Sequence, residues 1–295
     1  MRLMMFRSQG GDAAPHRFGI VDGDAVADLS GRLSGMAELI GRAGAGEAID
    51  ITGAERHPLA SVDFLPPTQG VGRVFCVGLN YAKHIAETGR SPGAHPSLFL
   101  RLPTAQVGHR QAIIRPAISD QFDFEGELAV AIGRGGHRID PADAMDHVAG
   151  YCCFADNSVR DWQRHAAQVT PGKNFDASGA AGPWIVTRDE APAPADMVLT
   201  TRLNGRVMQQ DSPGTLVFPI DRLIAYISSF TRLQPGDLIA TGSPEGVGMA
   251  RDPQVWMQPG DRLEVEITGI GVLSNPVVQE PAGGGGLPAG DEAGM

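Results

Sequence analysis

Hydrophobic and polar residues alternate along many short segments of this chain, and longer stretches of helical periodicity are few. Alternation with a period of two is typical of β-strands that are buried on one face. The 39 glycines and 22 prolines supply frequent turns between these segments. The pattern therefore predicts an α+β protein that is mostly β, with a few peripheral helices.

The first 69 residues are predicted to form a small β-rich module. The segment FGIVDGDAVADL (18–29) has the pattern of a hairpin that turns at Asp22-Gly23. The segment DFLPPTQG (63–70) combines proline and glycine in the way that is common at domain boundaries. A module of this size is too small to hold a demanding site by itself.

Residues 70–280 are predicted to form the main domain, and the glycine-rich residues 281–295 a disordered tail. We expect strands at 74–79, 97–102, 111–115, 122–133, 150–156, 237–242 and 261–278, with a hairpin at 197–210 that turns on Asn204-Gly205. We expect helices at 32–42, 80–88, 158–168 and 219–230, the second of them capped by Asn80.

Charge and cysteine content narrow the functional classes. The formal net charge of −10 argues against nucleic acid or an anionic membrane as the main partner. The chain has no run of about 18 apolar residues and its first residues lack the apolar core of a secretory signal, so neither a membrane span nor secretion is expected. Three cysteines without metal-ligand spacing predict buried thiols in a reducing cytoplasm.

A group of carboxylates in the segment FDFEGELAVAI (122–132) is the first candidate for chemistry. On a continuous strand, Asp123, Glu125 and Glu127 would share one face, followed by small alanines that leave room for a ligand. A solvated polar face is the alternative, and Glu264 and Glu266 repeat the Glu-x-Glu spacing elsewhere in the chain. Three like charges on one face favour neutralisation by Mg²⁺, Mn²⁺ or Ca²⁺.

Asp156, at the end of the segment GYCCFAD (150–156), is a fourth acid near a predicted strand end. It stands before a predicted helix, and aspartate is a favoured helix N-cap. The sequence leaves open whether Asp156 caps this helix or adds an oxygen ligand to a metal site.

His84 and Glu87 lie three residues apart on a predicted helix and share one face of it. A carboxylate beside an imidazole orients it and raises its basicity, as a general base requires. An exposed polar pair is the alternative, because the chain has eight histidines and such pairs are common on helices.

Several basic and polar residues offer contacts for an anionic substrate. Arg160 and Gln163 share a predicted helix face, and Arg binds carboxylates in a bidentate way, although a surface pair is also compatible. Lys173, in the short segment TPGKNFD, is either a fixed cation or a solvated one. The glycine-rich segment ATGSPEGVGMA (240–250) lacks the spacing of a nucleotide P-loop, but the Thr241 hydroxyl and nearby N–H groups could hold an anion.

The order of these segments resembles the fumarylacetoacetate hydrolase family. The matching stretches are VGLNYAKHIAE (77–87), FDFEGELAVAIGR (122–134), GYCCFADNSVRDWQ (150–163), GKNFDASGAAGPW (172–184), LNGRVMQQ (203–210) and PGDLIATGSPEGVG (235–248). The chain departs from the family pattern at Ala155, where Asn is common, and at Arg101, where Lys is common. The stretch TGRSPGAHP (88–96), at the place of a lid, matches nothing informative.

The resemblance implies a mixed β-roll with peripheral helices, usually in a homodimer. It implies that Mg²⁺ or Mn²⁺ binds to Glu125, Glu127 and Asp156, and we expect Asp123 to lie beside these ligands. The implied roles of the other site residues are a base pair on a lid helix (His84, Glu87) and substrate contacts (Lys173, Arg160, Gln163, Thr241, Gly242). Because Gly89, Pro92 and Gly93 disfavour a stable helix, we expect the segment 80–96 to be mobile or displaced without ligand, which would hold His84 away from the metal.

The implied activity is metal-dependent hydrolysis of a C–C bond in a 2,4-diketo acid of the acylpyruvate type, as in the breakdown of aromatic compounds. The reaction would pass through an enolate, which the metal and Lys173 would stabilise. Decarboxylation of an oxaloacetate-like acid, or isomerisation of an unsaturated 2-oxo diacid, would use the same site. A non-catalytic Ca²⁺-stabilised β protein is a further alternative, but it has no use for the pair His84 and Glu87.

Overall fold

The computed structural model describes residues 1–9, 14–70, 72–91 and 93–282. Its first strands are β1 Arg2–Ser8, β2 Arg17–Asp22, β3 Ala25–Asp28, β4 Arg56–Pro58, β5 Val62–Leu65, β6 Val74–Gly78, β7 Ser97–Arg101, β8 Gln106–Val107, β9 Ile113–Arg115 and β10 Phe122–Asp123. The later strands are β11 Gly126–Ile132, β12 Val148–Ala155, β13 Ser158–Val159, β14 Gly179–Thr187, β15 Leu199–Leu203, β16 Arg206–Asp211, β17 Leu238–Ala240, β18 Arg262–Ile267 and β19 Gly271–Gln279.

The helices are few and short, as the sequence predicts. They are α1 Met36–Gly44, α2 Ala82–Glu87, α3 Arg160–Gln163, α4 Thr170–Lys173 and α5 Ile220–Phe230. Short 3₁₀ helices lie at Leu59–Ser61, Pro103–Ala105, Pro141–His147, Pro194–Asp196, Pro213–Thr215 and Gly248–Ala250. The predicted tail lies outside the described residues from position 283 onward and stays a prediction.

Within the described residues, the strands form one large sheet, one two-stranded ribbon and one five-stranded sheet. The large sheet has the order β4-β3-β2-β1-β14-β12-β11-β17-β6-β7, with β5 also paired to β1 and β8 to β14. The ribbon joins β10 to β13, and the smaller sheet has the order β16-β15-β18-β19-β9. The pairs β6–β17, β8–β14 and β9–β19 are parallel and the other pairs are antiparallel, so this mixed architecture confirms the predicted fold class.

Strand β11 shows how the two faces of the large sheet are used. Leu128, Val130 and Ile132 point into a core shared with residues of the smaller sheet. Ala129 and Ala131 point to the other face, where they pack in a second core with residues of α1. The alternation is as predicted, but the space beside the alanines holds this second core rather than a ligand.

The large sheet is continuous across the boundary predicted at residue 69. Strand β1 lies between β2 and β14, with Leu3 opposite Ile185. Residues from both sides of the boundary share the core around α1. The division into a module at 1–69 and a domain at 70–280 therefore remains a prediction, and one hydrogen-bonded sheet joins the two parts.

Local predictions are confirmed where a short-range signal decides the structure. The hairpin between β15 and β16 turns on Asn204 and Gly205, which both have positive φ angles, of 53° and 78°. The first hairpin turns one residue later than predicted, at Gly23-Asp24, because Asp22 still pairs with Ala25.

All three cysteines are free and buried, as expected. No described helix has the length and apolar character needed to cross a membrane.

Asn80 does not cap helix α2. The N-cap residue is Tyr81, and the Asn80 amide instead donates to the backbone oxygens of Phe218 at 3.0 Å and Thr241 at 2.8 Å. The Asn80 side-chain oxygen accepts from the Phe218 N–H at 2.7 Å. Because Asn80 is fully buried, this side chain ties the start of α2 to β17 and to the segment before α5.

We therefore expect Asn80→Ala to lower the free energy of unfolding by about 2 to 4 kcal/mol, since three buried backbone groups lose their partner. Chemical denaturation checks this value. The exposed Gln254, whose amide donates to the Met249 oxygen at 3.0 Å, provides the control. A Gln254→Ala protein should unfold at the wild-type denaturant concentration, and equal midpoints for both variants would contradict the assigned role of Asn80.

Candidate active site

Three carboxylates lie close together at the start of strand β11 and the end of strand β12. The predicted strand at 122–133 is broken at Phe124 and Glu125, so that Asp123 ends β10 and Gly126 begins β11. Gly126 lies opposite Ala155, and the Asp156 N–H donates to the Glu125 backbone oxygen at 2.8 Å. This register places Glu125 and Asp156 side by side, and Glu127 follows on the same strand.

These carboxylates are buried and line one cavity of about 470 Å³, a typical size for a small-molecule site. The exposed fractions of Glu125, Glu127 and Asp156 are 5%, 2% and 2%. Asp156 is not a helix N-cap, because the following helix α3 begins at Arg160 with Val159 as its N-cap. The alternative of a solvated face is thereby excluded for these three residues.

Buried cations lie against two of the carboxylates. Glu125 accepts hydrogen bonds from Arg160 at 2.7 Å, from the Ser158 hydroxyl at 2.9 Å and from the Lys173 ammonium. Asp156 accepts from Lys173 at 2.6 Å through Oδ2 and from Arg101 at 2.8 Å through Oδ1. Lys173 thus stands between Glu125 and Asp156, held there by the single helical turn α4.

Glu127 differs from its neighbours because no cation contacts it in the described structure. Its one hydrogen bond comes from the Gly242 N–H, at 2.9 Å. Burial and the charge of Asp156 raise its pKa well above the usual range of a glutamic acid. For Glu125, burial also disfavours the charge, but Arg160 and Lys173 outweigh it and hold its pKa far below the usual range.

Asp123 binds Arg160 and fixes its position. The Asp123 carboxylate accepts from Arg160 Nε at 2.8 Å and from the N–H groups of Gly248 and Met249 at 2.7 and 3.1 Å. Gln163, one helical turn after Arg160, accepts from its guanidinium at 3.0 Å and also lines the cavity. Asp123 therefore holds Arg160 in place, which agrees with its predicted position beside the carboxylates rather than on a metal.

The donor set fits a divalent cation. Four buried carboxylates, Asp123 with the three of the cavity, face three buried cations, Arg101, Arg160 and Lys173. One carboxyl group, that of Glu127, is left without a cation partner. All-oxygen ligands suit Mg²⁺ or Mn²⁺, so Glu125, Glu127 and Asp156 are the residues that could hold one.

A second group of potential ligands lies away from the cavity. Among the described residues, three ligand atoms within 4.8 Å of one another occur at Asp28, Glu55 and His57. The Arg17 guanidinium already lies 2.5 Å from Asp28 in that group.

His84 faces the same cavity from helix α2, and Glu87 of the same helix contacts it. His84 Nδ1 and a Glu87 carboxylate oxygen are 2.6 Å apart, and His84 is only 6% exposed. Both oxygens of Glu87 accept from the Gly246 N–H, at 2.9 and 3.1 Å. Gly246 has φ of +97°, and a Cβ there would lie 2.3 Å from the Met208 oxygen, so this contact depends on glycine.

The structure forms the lid helix. Helix α2 is complete, and His84 is buried in the wall of the cavity that holds the carboxylates. The expectation that the segment 80–96 is mobile or displaced without ligand stays a prediction. Arg90 and Thr88, which follow α2, also line the cavity.

Two predicted substrate contacts have other partners. The Thr241 hydroxyl and N–H both donate to the Leu128 backbone oxygen, at 2.9 and 3.0 Å. Gly242 uses its N–H on Glu127, its φ is +105°, and a Cβ at this position would lie only 2.8 Å from the Asn80 Cβ. Both residues thus support the site from outside the cavity wall, and the cavity is lined next to them by Ser243.

Sequence reasoning missed Arg101 as a site residue. Its guanidinium bonds Asp156 Oδ1 and the Asn157 backbone oxygen, both at 2.8 Å, and the Ser178 hydroxyl at 2.9 Å. The signal in the sequence was the position of Arg101 at the end of a predicted strand, where members of the resembling family commonly have Lys.

The helix predicted at 158–168 is shorter than expected, since α3 ends at Gln163.

We expect Glu127→Gln to lower the affinity for Mn²⁺ at least about tenfold, because it removes the one free carboxylate of the set. In the metal-free protein the same change replaces a buried carboxyl group that has no cation partner by a neutral amide of the same shape, so thermal stability should stay equal or rise. Calorimetric titration with Mn²⁺ and thermal denaturation check the two parts. Glu264→Gln, in the half-buried surface Glu-x-Glu pair, is the matched control and should bind Mn²⁺ like the wild type.

Comparison with known proteins identifies related sequences and structures. The model of the family "Fumarylacetoacetate (FAA) hydrolase C-terminal" matches residues 73–278. The mitochondrial oxaloacetate tautomerase FAHD2A of Bos taurus is 42% identical over 223 residues, which are 75% of this chain and 71% of that protein. A fumarylacetoacetate hydrolase from Exiguobacterium antarcticum has a TM-score of 0.82 and 35% identity, covering 95% of this chain and 100% of its own.

A second solved structure bears on the metal. The maleylpyruvate hydrolase of Sphingobium sp. SYK-6, in complex with manganese(II) ion and pyruvate, has a TM-score of 0.77 and 32% identity. The alignment covers 95% of this chain and all of that one. The similar proteins are thus enzymes with different named reactions, and one of them binds a divalent metal ion.

Proposed function

Because the chain belongs to the fumarylacetoacetate hydrolase family, we propose that it is a divalent-metal-dependent enzyme that forms the enolate of a 2-oxo acid. Its reaction would be the keto–enol isomerisation of an oxaloacetate-like acid. The observation that carries the proposal is that His84, hydrogen-bonded to Glu87, lines the same cavity as three buried carboxylates. A relative with 42% identity is named an oxaloacetate tautomerase, which favours this reaction over the others.

When bound by Glu125, Glu127 and Asp156, Mg²⁺ or Mn²⁺ would act as a Lewis acid on the oxygens of the substrate. His84 is the base that takes a proton from the carbon next to the keto group, and Glu87 stabilises the imidazolium that results. The Gly246 N–H holds Glu87 in the orientation that this requires. Return of the proton to the substrate oxygen gives the enol and restores neutral His84.

Lys173 and Arg160 provide the positive charge toward which the enolate develops. Lys173, whose ammonium lies between Glu125 and Asp156, would turn it toward the enolate oxygen. Arg160 and Gln163 would hold the substrate carboxylate through N–H groups that do not bond Asp123. Burial of these groups strengthens their interaction with a developing charge.

Hydrolysis of a 2,4-diketo acid is the second candidate reaction. It would use the same cavity, with His84 taking a proton from water rather than from carbon. The specific support is the similar maleylpyruvate hydrolase, which was solved with pyruvate, a 2-oxo acid. In this case the water attacks the distal carbonyl, the C–C bond breaks and the enolate of the 2-oxo acid leaves.

A panel assay of purified protein tests the proposal. After chelation the protein is supplied with Mg²⁺ or Mn²⁺ and given oxaloacetate in its enol form and two 2,4-diketo acids. We expect metal-dependent loss of the ultraviolet absorbance of the enol, and none after chelation. Cleavage of the diketo acids alone would replace isomerisation by hydrolysis, and release of CO₂ alone by decarboxylation. No metal-dependent reaction with any of them would refute the proposal.

A further inference from the structure

Strand β7 ends the large sheet within the described residues, and a side chain bonds to its outer edge. The Asn174 side-chain oxygen accepts from the Leu102 N–H at 2.6 Å, and its amide donates to the Leu100 oxygen at 3.2 Å. A neighbouring strand would pair with this edge through the same kinds of groups, a carbonyl oxygen and an N–H. The Asn174 side chain therefore acts as a short extension of the sheet.

The same amide closes the helical turn that carries Lys173. It donates to the backbone oxygen of Thr170, the first residue of α4, at 3.1 Å. The carbonyl groups of a single helical turn have few partners within the helix, so a side-chain donor stabilises the turn. Asn174 thus joins α4 to the edge of β7 at the residue that follows Lys173.

Strand β7 also contacts the other end of the Lys173 side chain. Phe99 lines the cavity, and the Lys173 ammonium lies 5.0 Å from the centre of its ring. An ammonium within about 6 Å of an aromatic ring is attracted to the face of that ring, and more strongly where water is excluded. Because the ring is neutral, it holds the ammonium without neutralising it as a carboxylate does.

We infer that Asn174 and Phe99 position Lys173 for the enolate, Asn174 through the backbone and Phe99 through the ammonium. The inference rests on the proposed function, in which Lys173 turns from its carboxylate partners toward the enolate oxygen. The flexible stem of a lysine has many rotamers, and contacts at both of its ends reduce their number. Both residues act through Lys173 in the transition state, so their loss lowers kcat and leaves KM nearly unchanged.

Asn174→Ala and Phe99→Leu should each lower kcat about tenfold for the reaction that the panel assay detects, since a displacement of about 1 Å at a catalytic group costs up to about 10² in rate. Phe99→Tyr keeps an aromatic ring and should keep most of the rate. Steady-state kinetics measure these values. The calorimetric affinity for Mn²⁺ should stay at the wild-type value in all three variants, because the three carboxylates of the cavity are unchanged.

The exposed Gln279, at the end of β19, provides a matched control. Its amide also bonds a strand end in both directions, donating to the Arg115 backbone oxygen at 3.3 Å and accepting from the Arg115 guanidinium at 3.0 Å. Gln279→Ala should therefore have the wild-type kcat, and thermal denaturation should show that all variants fold.

A comparison in the Lys173→Met background separates positioning from general damage to the site. Without the ammonium there is nothing to position, so Asn174→Ala and Phe99→Leu should each lower the remaining rate less than about twofold. Tenfold losses in both backgrounds, a wild-type kcat in either variant, or a parallel loss of Mn²⁺ affinity would overturn the inference and leave the proposed function intact. Absence of any metal-dependent reaction in the wild type would overturn both.

Discussion

Lys173→Met should lower kcat at least about a hundredfold for isomerisation, and for hydrolysis of a 2,4-diketo acid as well. Both reactions develop negative charge on the enolate oxygen, and loss of one fixed positive donor to such an oxygen typically costs about 10² to 10³ in rate. Steady-state rates at saturating Mn²⁺ measure this loss. Because decarboxylation also forms an enolate, it should fall by a similar factor.

The Lys173→Met variant also separates the role of Lys173 in catalysis from its role in stability. Lys173 is the shared partner of Glu125 and Asp156, and breaking such a buried set costs about 3 to 5 kcal/mol of stability. A metal ion held by these carboxylates would supply positive charge in its place, so Mn²⁺ should restore the melting temperature of the variant but not its rate.

The control for this variant is Lys83→Met, on α2. Lys83 is 68% exposed and lies 3.4 Å from Asp211 and 3.3 Å from Glu245, so its loss should change neither rate nor stability appreciably. A Lys173→Met enzyme with a nearly wild-type kcat at saturating Mn²⁺ would show that Lys173 has only a structural role.

Glu87→Gln should slow isomerisation and hydrolysis by about 10² to 10⁴, while decarboxylation of oxaloacetate falls much less. The first two reactions need a base, and the amide of Gln cannot stabilise a protonated His84. Decarboxylation releases CO₂ and leaves the electron pair on the enolate, so it needs positive charge rather than a base. The rates of isomerisation, hydrolysis and decarboxylation, measured on one preparation of each protein, show directly which reactions the substitution slows most.

His84→Ala should reproduce the Glu87→Gln effect, since the two residues act as one unit. Calorimetric affinity for Mn²⁺ should stay at the wild-type value in both variants, because neither residue belongs to the carboxylate set. Glu245→Gln is the matched control, because Glu245 pairs with Lys83 of the same helix, whereas Glu87 pairs with His84. Equal slowing of all three reactions by Glu87→Gln would show that the pair is not the base.

The sequence pattern predicted the carboxylates of the site because their chemistry and order are local. The spacing alone could not distinguish these carboxylates from Glu264 and Glu266, which lie on β18. In that pair the Glu266 side chain is 44% exposed and forms an ion pair with Arg202. The difference is burial: Glu125, which lies in the break between β10 and β11, is 5% exposed. Such a break depends on which strands pair, so only the family resemblance resolved the ambiguity.

Contacts between distant segments were the part that the sequence did not predict. Asn80 resembles a helix cap by position, yet its partners are more than 130 residues away in the chain. Thr241 resembles an anion ligand, yet its hydroxyl completes the pairing of β17 with β11. Arg101 became a site residue through Asp156, 55 residues away, a contact that no local spacing indicates.

Truncation of the chain to residues 73–278, the segment that matches the family model, would remove the packing that supports the strands of the site. Without residues 1–69, strand β14 would lose β1 and present an unpaired edge to solvent. The loss of α1 would also uncover Ala129, Ala131, Cys152 and Phe154, on the far side of the strands that hold the carboxylates of the site. Aggregation through this new apolar surface, rather than an independent catalytic unit, is the outcome that the shared sheet dictates.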